Sequence, residues 1–308
     1  MKIVFMGTPD FAVPCLTALK DAGHEIAAVF TQPDKPKGRG YALTPPPVKV
    51  KAQAYGYKIY QPATLRDGEA ARLLEEIAPD VIVVVAYGKL LPADILDIPP
   101  LGCVNVHASL LPRHRGASPI QWAIVCGDRE TGVTTMLMAQ GMDTGDMLER
   151  AVTPIGPEET AEDLHDRLSA MGAELIVHTL AGLEKGGITP EKQDEALATK
   201  APIIRKEMGR LDFTQTAETL HNLTRGFYPW PAAYTQMDGR RLKVLETRTA
   251  DGFSGRPGQV VCADGRLVVA CGKNTALELV RVQLEGKRPM TAAELLRGRP
   301  VVVGTMLG

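Results

Sequence analysis

The chain has 308 residues, with 35 Lys and Arg against 36 Asp and Glu for a net charge of −1, which argues against a uniformly basic nucleic-acid binder but leaves room for a local basic patch. Its 44% hydrophobic and 23% charged residues are ordinary globular usage, which excludes disordered and fibrous classes, and the length fits two domains. No apolar run reaches the roughly 20 residues of a spanning helix, and Met1-Lys2-Ile3-Val4-Phe5-Met6-Gly7 lacks a signal peptide's apolar core and cleavage site, so a cytoplasmic protein without membrane attachment is expected.

Residues 2–6 form a short apolar run ending at Gly7, and residues 11–22 an apolar-periodic stretch stopped by Gly23, which predicts a strand and then a helix. Residues 25–31, 81–86 and 102–108 predict further strands with helical patterns between them. Another strand follows at 133–138, before a long helix at 161–183. Near-continuous apolar strands separated by helices imply the α/β class: a Rossmann-like, mostly parallel sheet with helices on both faces. The dinucleotide fingerprint is missing, because Gly7-Thr8-Pro9-Asp10-Phe11 lacks the three spaced glycines and the second strand ends Phe30-Thr31-Gln32 without a ribose-binding acid.

The pattern breaks at Gly186-Gly187, and the polar, charged stretch to Arg205 reads as a linker. A helix at 216–225 leads into Pro229-Trp230-Pro231. Short alternating runs follow at 242–246, 258–262, 267–271 and 277–284, with turns at Asp238-Gly239 and Asp264-Gly265. Such spacing predicts a small, OB-like β-barrel. The expected organisation is a domain at 1–185, a linker at 186–205 and a barrel at 206–308. The five cysteines, at 15, 103, 126, 262 and 271, have neither Cys-x-x-Cys pairing nor a histidine at zinc spacing, so free thiols and no metal are expected.

Two segments carry more than architecture. The loop at 32–47 is long for a connection and holds Lys35, Lys37 and Arg39 among glycines, so it reads either as a basic finger for a phosphate backbone or as a solvated surface loop. In Gly102-Cys103-Val104-Asn105-Val106-His107-Ala108-Ser109-Leu110-Leu111-Pro112, alternation puts Asn105 and His107 on one face at the end of a buried strand, where ligand crevices of open α/β sheets lie. Singly, each is more often a hydrogen-bonded core residue. Together, an Asn amide and a protonated His are two donors suited to an oxyanion, which points to acyl transfer. The loop Gln140-Gly141-Met142-Asp143-Thr144-Gly145-Asp146 offers Asp143 as an orienting or proton-relaying carboxylate, or is simply a glycine turn.

These motifs resemble the methionyl-tRNA formyltransferases over nearly the whole chain. Asn105-Val106-His107-Ala108-Ser109-Leu110-Leu111-Pro112, with Arg115-Gly116-Ala117 and Pro119-Ile120-Gln121, is similar to the formyltetrahydrofolate-enzyme signature, and Asp143-Thr144-Gly145-Asp146 to the family's aspartate loop. The resemblance implies that Asn105 and His107 hold the formyl oxygen while Asp143 orients His107 and assists proton transfer. It implies a 10-formyltetrahydrofolate pocket at Ser109, Leu110, Leu111, Pro112, Tyr87 and Gly88, and no metal.

Thr224-Arg225-Gly226-Phe227-Tyr228-Pro229-Trp230-Pro231 and Gly286-Lys287-Arg288-Pro289-Met290 resemble segments of the family's carboxyl-terminal domain, which implies initiator methionyl-tRNA as acceptor and partner of a monomeric enzyme. Lys35, Lys37 and Arg39 lie in what looks like its acceptor-stem loop, and Arg205 and Lys206 offer further phosphate contacts. Where the family often has lysines this chain has Tyr41-Ala42, and Tyr41 offers a face for stacking on an unpaired base. An amino-sugar N-formyltransferase would share the chemistry without needing the barrel or the basic loop. A pure RNA-binding protein would leave Asn105, His107 and Asp143 unexplained.

Overall fold

The computed structural model describes residues 1–37 and 42–308. The chain forms two compact units: Met1–Pro119, Thr131–Thr153 and His165–Ala201 make the first, and Ile120–Glu130, Pro154–Leu164 and Pro202–Gly308 the second. Within the stretch expected as a linker, residues through Ala201 therefore cluster with the first unit. No described helix is long and apolar enough to cross a membrane.

The first unit is built on a seven-stranded sheet. Its strands are β1 (Lys2–Gly7), β2 (Glu25–Phe30), β3 (Ile59–Tyr60), β4 (Val81–Val85), β5 (Cys103–His107), β6 (Glu130–Leu137) and β7 (Met147–Pro154), in the order β7-β6-β5-β4-β1-β2-β3. Pairings from β3 through β5 are parallel, and β6 runs antiparallel to β5. All five residues of β4 are buried, which explains why it reads as an unbroken Val-Ile-Val-Val-Val run: a central parallel strand is covered on both faces. On one face Val4, Met6, Ala28, Phe30, Ile82 and Val84 pack with Leu74 of helix α1 (Glu69–Ile77). Toward the other lies helix α2 (Ala161–Glu184), where a methyl added to Gly172 would stand 3.0 Å from Val106 Cγ1.

The chain moves outward from β1 through β2 to β3, then returns to the other side of β1 for β4 and β5. That reversal is a switch point, and the crevice it opens lies beyond the carboxyl ends of the strands. Thr8, just after β1, donates its hydroxyl to the backbone oxygen of Tyr87, just after β4, at 2.9 Å. In the 32–47 loop Lys35–Lys37 pairs antiparallel with Ala42–Thr44. Its base is fixed by Asp34, which accepts from Lys49 Nζ at 2.7 Å and from Gln61 Nε2 at 2.8 Å; these bonds hold the carboxyl below the usual carboxylate range.

The second unit carries an antiparallel, barrel-like sheet. Strands β8 (Ala233–Met237), β9 (Arg240–Ala250), β10 (Val260–Cys262), β11 (Leu267–Ala270) and β12 (Ala276–Leu284) follow the order β8-β9-β12-β11-β10, and β13 (Met290–Thr291) pairs with β12. At the β8–β9 turn Asp238 and Gly239 have φ of +48° and +72°, the left-handed pair a tight hairpin demands. Leu242, Val244, Leu277, Leu279 and Val282 face inward against Leu220 of helix α3 (Ala217–Gly226). Thr216 caps that helix by accepting the Thr219 N–H at 3.2 Å. The segments 120–130 and 154–164 belong to this unit for identifiable reasons. Trp122 Nε1 donates to Pro202 O at 2.8 Å, and the buried Arg225 donates through Nη1 to Gly156 O and Glu159 O at 3.0 and 3.1 Å.

Three of the five cysteines, at 15, 103 and 271, are buried, and burial pushes each thiol up to about 12; Cys126 is exposed and Cys262 half-buried, and none of the five is in a disulfide.

Candidate active site

Strand alternation divides the labour of β5. Val106 faces α2, so Asn105 and His107 stand on the opposite face, only 9% and 6% exposed. Asn105 sits in register between Val84 and Met136. Its amide forms no hydrogen bond among the described residues. Its polar atoms are not among those sealed in the core without a partner, so the amide stays open to a ligand.

His107 is held on both sides. Nε2 lies 3.0 Å from the backbone oxygen of His114, and because a carbonyl only accepts, Nε2 carries the hydrogen of that bond. Nδ1 faces Asp143 Oδ1 at 3.7 Å, longer than a hydrogen bond, with both side chains largely shielded from water. The other carboxylate oxygen of Asp143 accepts the Gly116 N–H at 2.8 Å. The structure thus brings Asp143 to the histidine, as the glycine-flanked loop suggested, and adds His114 O, a backbone acceptor that leaves no trace in a sequence.

Both residues flanking His107 are in the left-handed backbone region: His114 has φ of +57° and Asp143 of +53°. Such a conformation costs a non-glycine residue on the order of 1 kcal/mol, so the surroundings must hold it. For Asp143 the holder is Gln193, whose Nε2 donates to the backbone oxygens of Asp143 and Gly145 at 2.8 and 2.7 Å. Arg115 Nε donates to Gln193 Oε1 at 3.0 Å and its terminal nitrogens grip Glu195 at 2.9 and 2.8 Å, which holds the Glu195 carboxyl low. Neither Gln193 nor Glu195 stood out in the sequence, where they belong to a polar stretch without periodicity.

The residues expected around a folate behave differently from one another. Ser109 is fully buried and spends its hydroxyl on Arg113 O at 2.6 Å, while its own carbonyl accepts from Thr134 Oγ1 at 2.7 Å. Leu111 is 1% exposed and packs with Met136 and Met147; Leu110 and Pro112 are half-buried. Gly88 is exposed with φ of +82°. The Tyr87 ring lies in the core beside Met6 and Phe30, its hydroxyl buried without a partner among the described residues, and burial pushes that hydroxyl up to about 12. Tyr87→Phe is therefore expected to leave the melting temperature unchanged or raise it, since a buried unpaired hydroxyl costs about 1–3 kcal/mol. A clear fall on thermal denaturation would show that the hydroxyl has a partner.

Lys35 in the first unit and Arg205 and Lys206 in the second are exposed. Lys37 closes the hairpin strand, and Arg39 and Tyr41 lie outside the described residues. No group of three or more His, Cys, Asp or Glu placed to hold a metal occurs among the described residues.

Comparison with known proteins matches the formyl transferase family over residues 1–180 and the formyl transferase carboxyl-terminal domain over residues 203–300. The methionyl-tRNA formyltransferase of Citrifermentans bemidjiense is 49% identical over 100% of this chain and 96% of its own length. That of Pelobacter propionicus is 50% identical over the same shares. Among solved structures, an N-formyltransferase from Helicobacter canadensis in complex with folinic acid and dTDP-3-aminofucose superposes with a TM-score of 0.70 at 18% identity, covering 91% of this chain and 98% of that one. HypX from Aquifex aeolicus in complex with tetrahydrofolic acid gives 0.64 at 16%, covering 100% of this chain and 50% of that one. At such identities the two structures share the fold.

Proposed function

The chain belongs to the methionyl-tRNA formyltransferase family, and from that premise we propose that it moves a formyl group from 10-formyltetrahydrofolate to the α-amino group of initiator methionyl-tRNA. The observation that carries the chemistry is the unpartnered Asn105 amide beside a histidine fixed between His114 O and Asp143. That donor fits the carbonyl oxygen of a formyl group. Leu110, Pro112 and the exposed Gly88 backbone at the strand ends suit a flat, partly apolar ligand bound through edges and main chain.

When bound, the folate supplies an activated formyl carbon. Asn105 donates to the formyl oxygen, where negative charge grows as the amine adds, and a preorganised donor in a shielded site is worth most at that moment. His107 cannot rotate freely, because Nε2–H is committed to His114 O; this leaves Nδ1 facing Asp143. Through that pair the proton released by the attacking nitrogen reaches the departing folate nitrogen, while the new C–N bond forms and the old one breaks. His107 and Asp143 therefore act as proton handlers and Asn105 as the oxyanion donor.

Support for the tRNA acceptor comes from relatives whose similarity runs through both units. An amino-sugar acceptor is disfavoured, since the sugar-modifying neighbour shares this chain's fold at only 18% identity. The test is formyl transfer from 10-formyltetrahydrofolate to charged initiator methionyl-tRNA, with uncharged tRNA and a dTDP-amino sugar as parallel acceptors. Transfer to the charged tRNA alone is expected; transfer to the sugar alone would overturn the acceptor while keeping the chemistry.

Lys35, Lys37, Arg39, Arg205 and Lys206 are read as phosphate contacts and Tyr41 as a stacking face. Alanine at Lys35, Arg205 or Lys206 is expected to weaken tRNA binding and flatten its salt dependence by about one counterion each, leaving the folate KM unchanged. An unaltered slope of log affinity against log salt would remove that residue from the contact set.

A further inference from the structure

The two strained residues that flank His107 are held by the two ends of one short segment. At its start Gln193 donates to the backbone oxygens of Asp143 and Gly145. At its end Thr199 Oγ1 accepts the His114 N–H at 2.8 Å. The main chain of Thr199 adds two more bonds, its carbonyl accepting the Arg115 N–H at 2.8 Å and its N–H donating to Pro112 O at 3.3 Å. The carboxylate facing Nδ1 and the carbonyl taking Nε2 are thus set from the same piece of chain.

We propose that residues 193–199 form a positioning strap for the catalytic histidine, with Gln193 and Thr199 as positioning residues that fix Asp143 and His114 in their left-handed conformations. This rests on the reading of His107 and Asp143 as the proton-handling pair. The strap has its own supports. Arg115 donates to Gln193 Oε1, so the amide has one orientation available and its NH2 must face the aspartate loop. Glu195 holds Arg115 from both terminal nitrogens, and Asp194 caps the turn that follows by accepting the Ala196 N–H at 2.9 Å. Without the two carbonyl bonds from Gln193, the contacts described on Asp143 are confined to its side chain, from the Gly116 N–H and from His107 Nδ1 at 3.7 Å.

Steady-state formyl transfer by the whole protein tests this, with Gln193→Ala, Gln193→Glu, Asp143→Ala and the Gln193→Ala/Asp143→Ala pair, and with melting temperature measured alongside. Gln193→Glu keeps the shape but turns the donor into an acceptor facing two carbonyls. Both Gln193 variants are expected to lower kcat by about 10- to 10²-fold, the scale of an ångström-sized misplacement, while KM for folate and tRNA moves within about twofold. In the Asp143→Ala background the loss of Gln193 is expected to cost nothing further, because partners acting through one residue are not additive. Thr199→Ser is expected to retain the rate and Thr199→Val to lower it.

Fully additive losses, or a wild-type kcat in folded Gln193→Glu, would overturn the strap while leaving the site reading intact. Failure of both Gln193 variants to fold would overturn it too, since Gln193 would then be a determinant of the fold. A wild-type rate in Asp143→Ala would instead overturn the underlying reading of the site.

Discussion

Asn105→Ala is expected to lower kcat by about 10²- to 10³-fold, the scale for losing one oxyanion donor, with the fold intact. The fold is spared because the amide has no partner among the described residues, so removing it orphans nothing. The main-chain pairing of this strand position, between Val84 and Met136, is independent of the side chain. The loss should fall on kcat, because the oxygen's charge appears only as the amine adds and a group serving that charge is felt in the transition state. Asn105→Asp should be worse than alanine, since it places an acceptor where charge develops. Steady-state kinetics beside thermal denaturation check both, and a folded Asn105→Ala protein turning over at a normal rate would remove Asn105 from the mechanism.

A second large effect is expected from a single methyl. Gly145 closes the aspartate loop against the end of β6, and a Cβ built there would lie 1.6 Å from Leu137 O and 3.3 Å from Ala139 N. Neither atom can yield, because both are main chain, and Leu137 is also held by its N–H bond to Asp146 O at 2.9 Å. Gly145→Ala must therefore push the loop outward, carrying Asp143, two residues earlier, away from His107. Turnover is expected to fall about 10²-fold or more, with a stability loss of roughly 1–3 kcal/mol from overpacking. Gly298→Ala, where an added Cβ meets nothing within 4 Å, is the silent control. Wild-type activity in Gly145→Ala would mean that the loop finds another path.

What could be read from the sequence follows from which features are local. The Val81–Val85 strand announces itself because burial on both faces leaves no room for polar residues, and Cys103–His107 does so through apolar residues alternating with the Asn105 and His107 that face the site. The turn at Asp238-Gly239 does so because few residue pairs tolerate two left-handed positions. β7 (Met147–Pro154) escaped notice, since this strand at the end of the sheet exposes Glu149, Arg150 and Val152 in part and has no apolar run. The reversal of β6 was equally silent, because alternation in a strand has no direction.

In the site the i, i+2 spacing of Asn105 and His107 was legible, being a property of one strand. Their meeting with Asp143, 36 positions beyond His107 in the numbering, had only a glycine-flanked loop to suggest it. The 193–199 segment was invisible for a physical reason: it works through backbone oxygens and polar side chains, which read as solvated linker.

The placement of residues 186–201 bears on any attempt to give this enzyme a new acceptor by exchanging parts. A cut at the composition break near Gly186-Gly187 would discard Gln193 and Thr199 together with the unwanted half, and the transplanted catalyst would arrive with its histidine unsupported. A graft made after Ala201 keeps them. Even then the exchange is not one splice but five, because residues 120–130 and 154–164 fold with the carboxyl-terminal portion and must travel with it, each adding two junctions to the one after Ala201. Recombination at a single crossover would seldom yield a working hybrid from such a chain, so acceptor preference here is expected to drift by substitution within each part rather than by wholesale shuffling of modules.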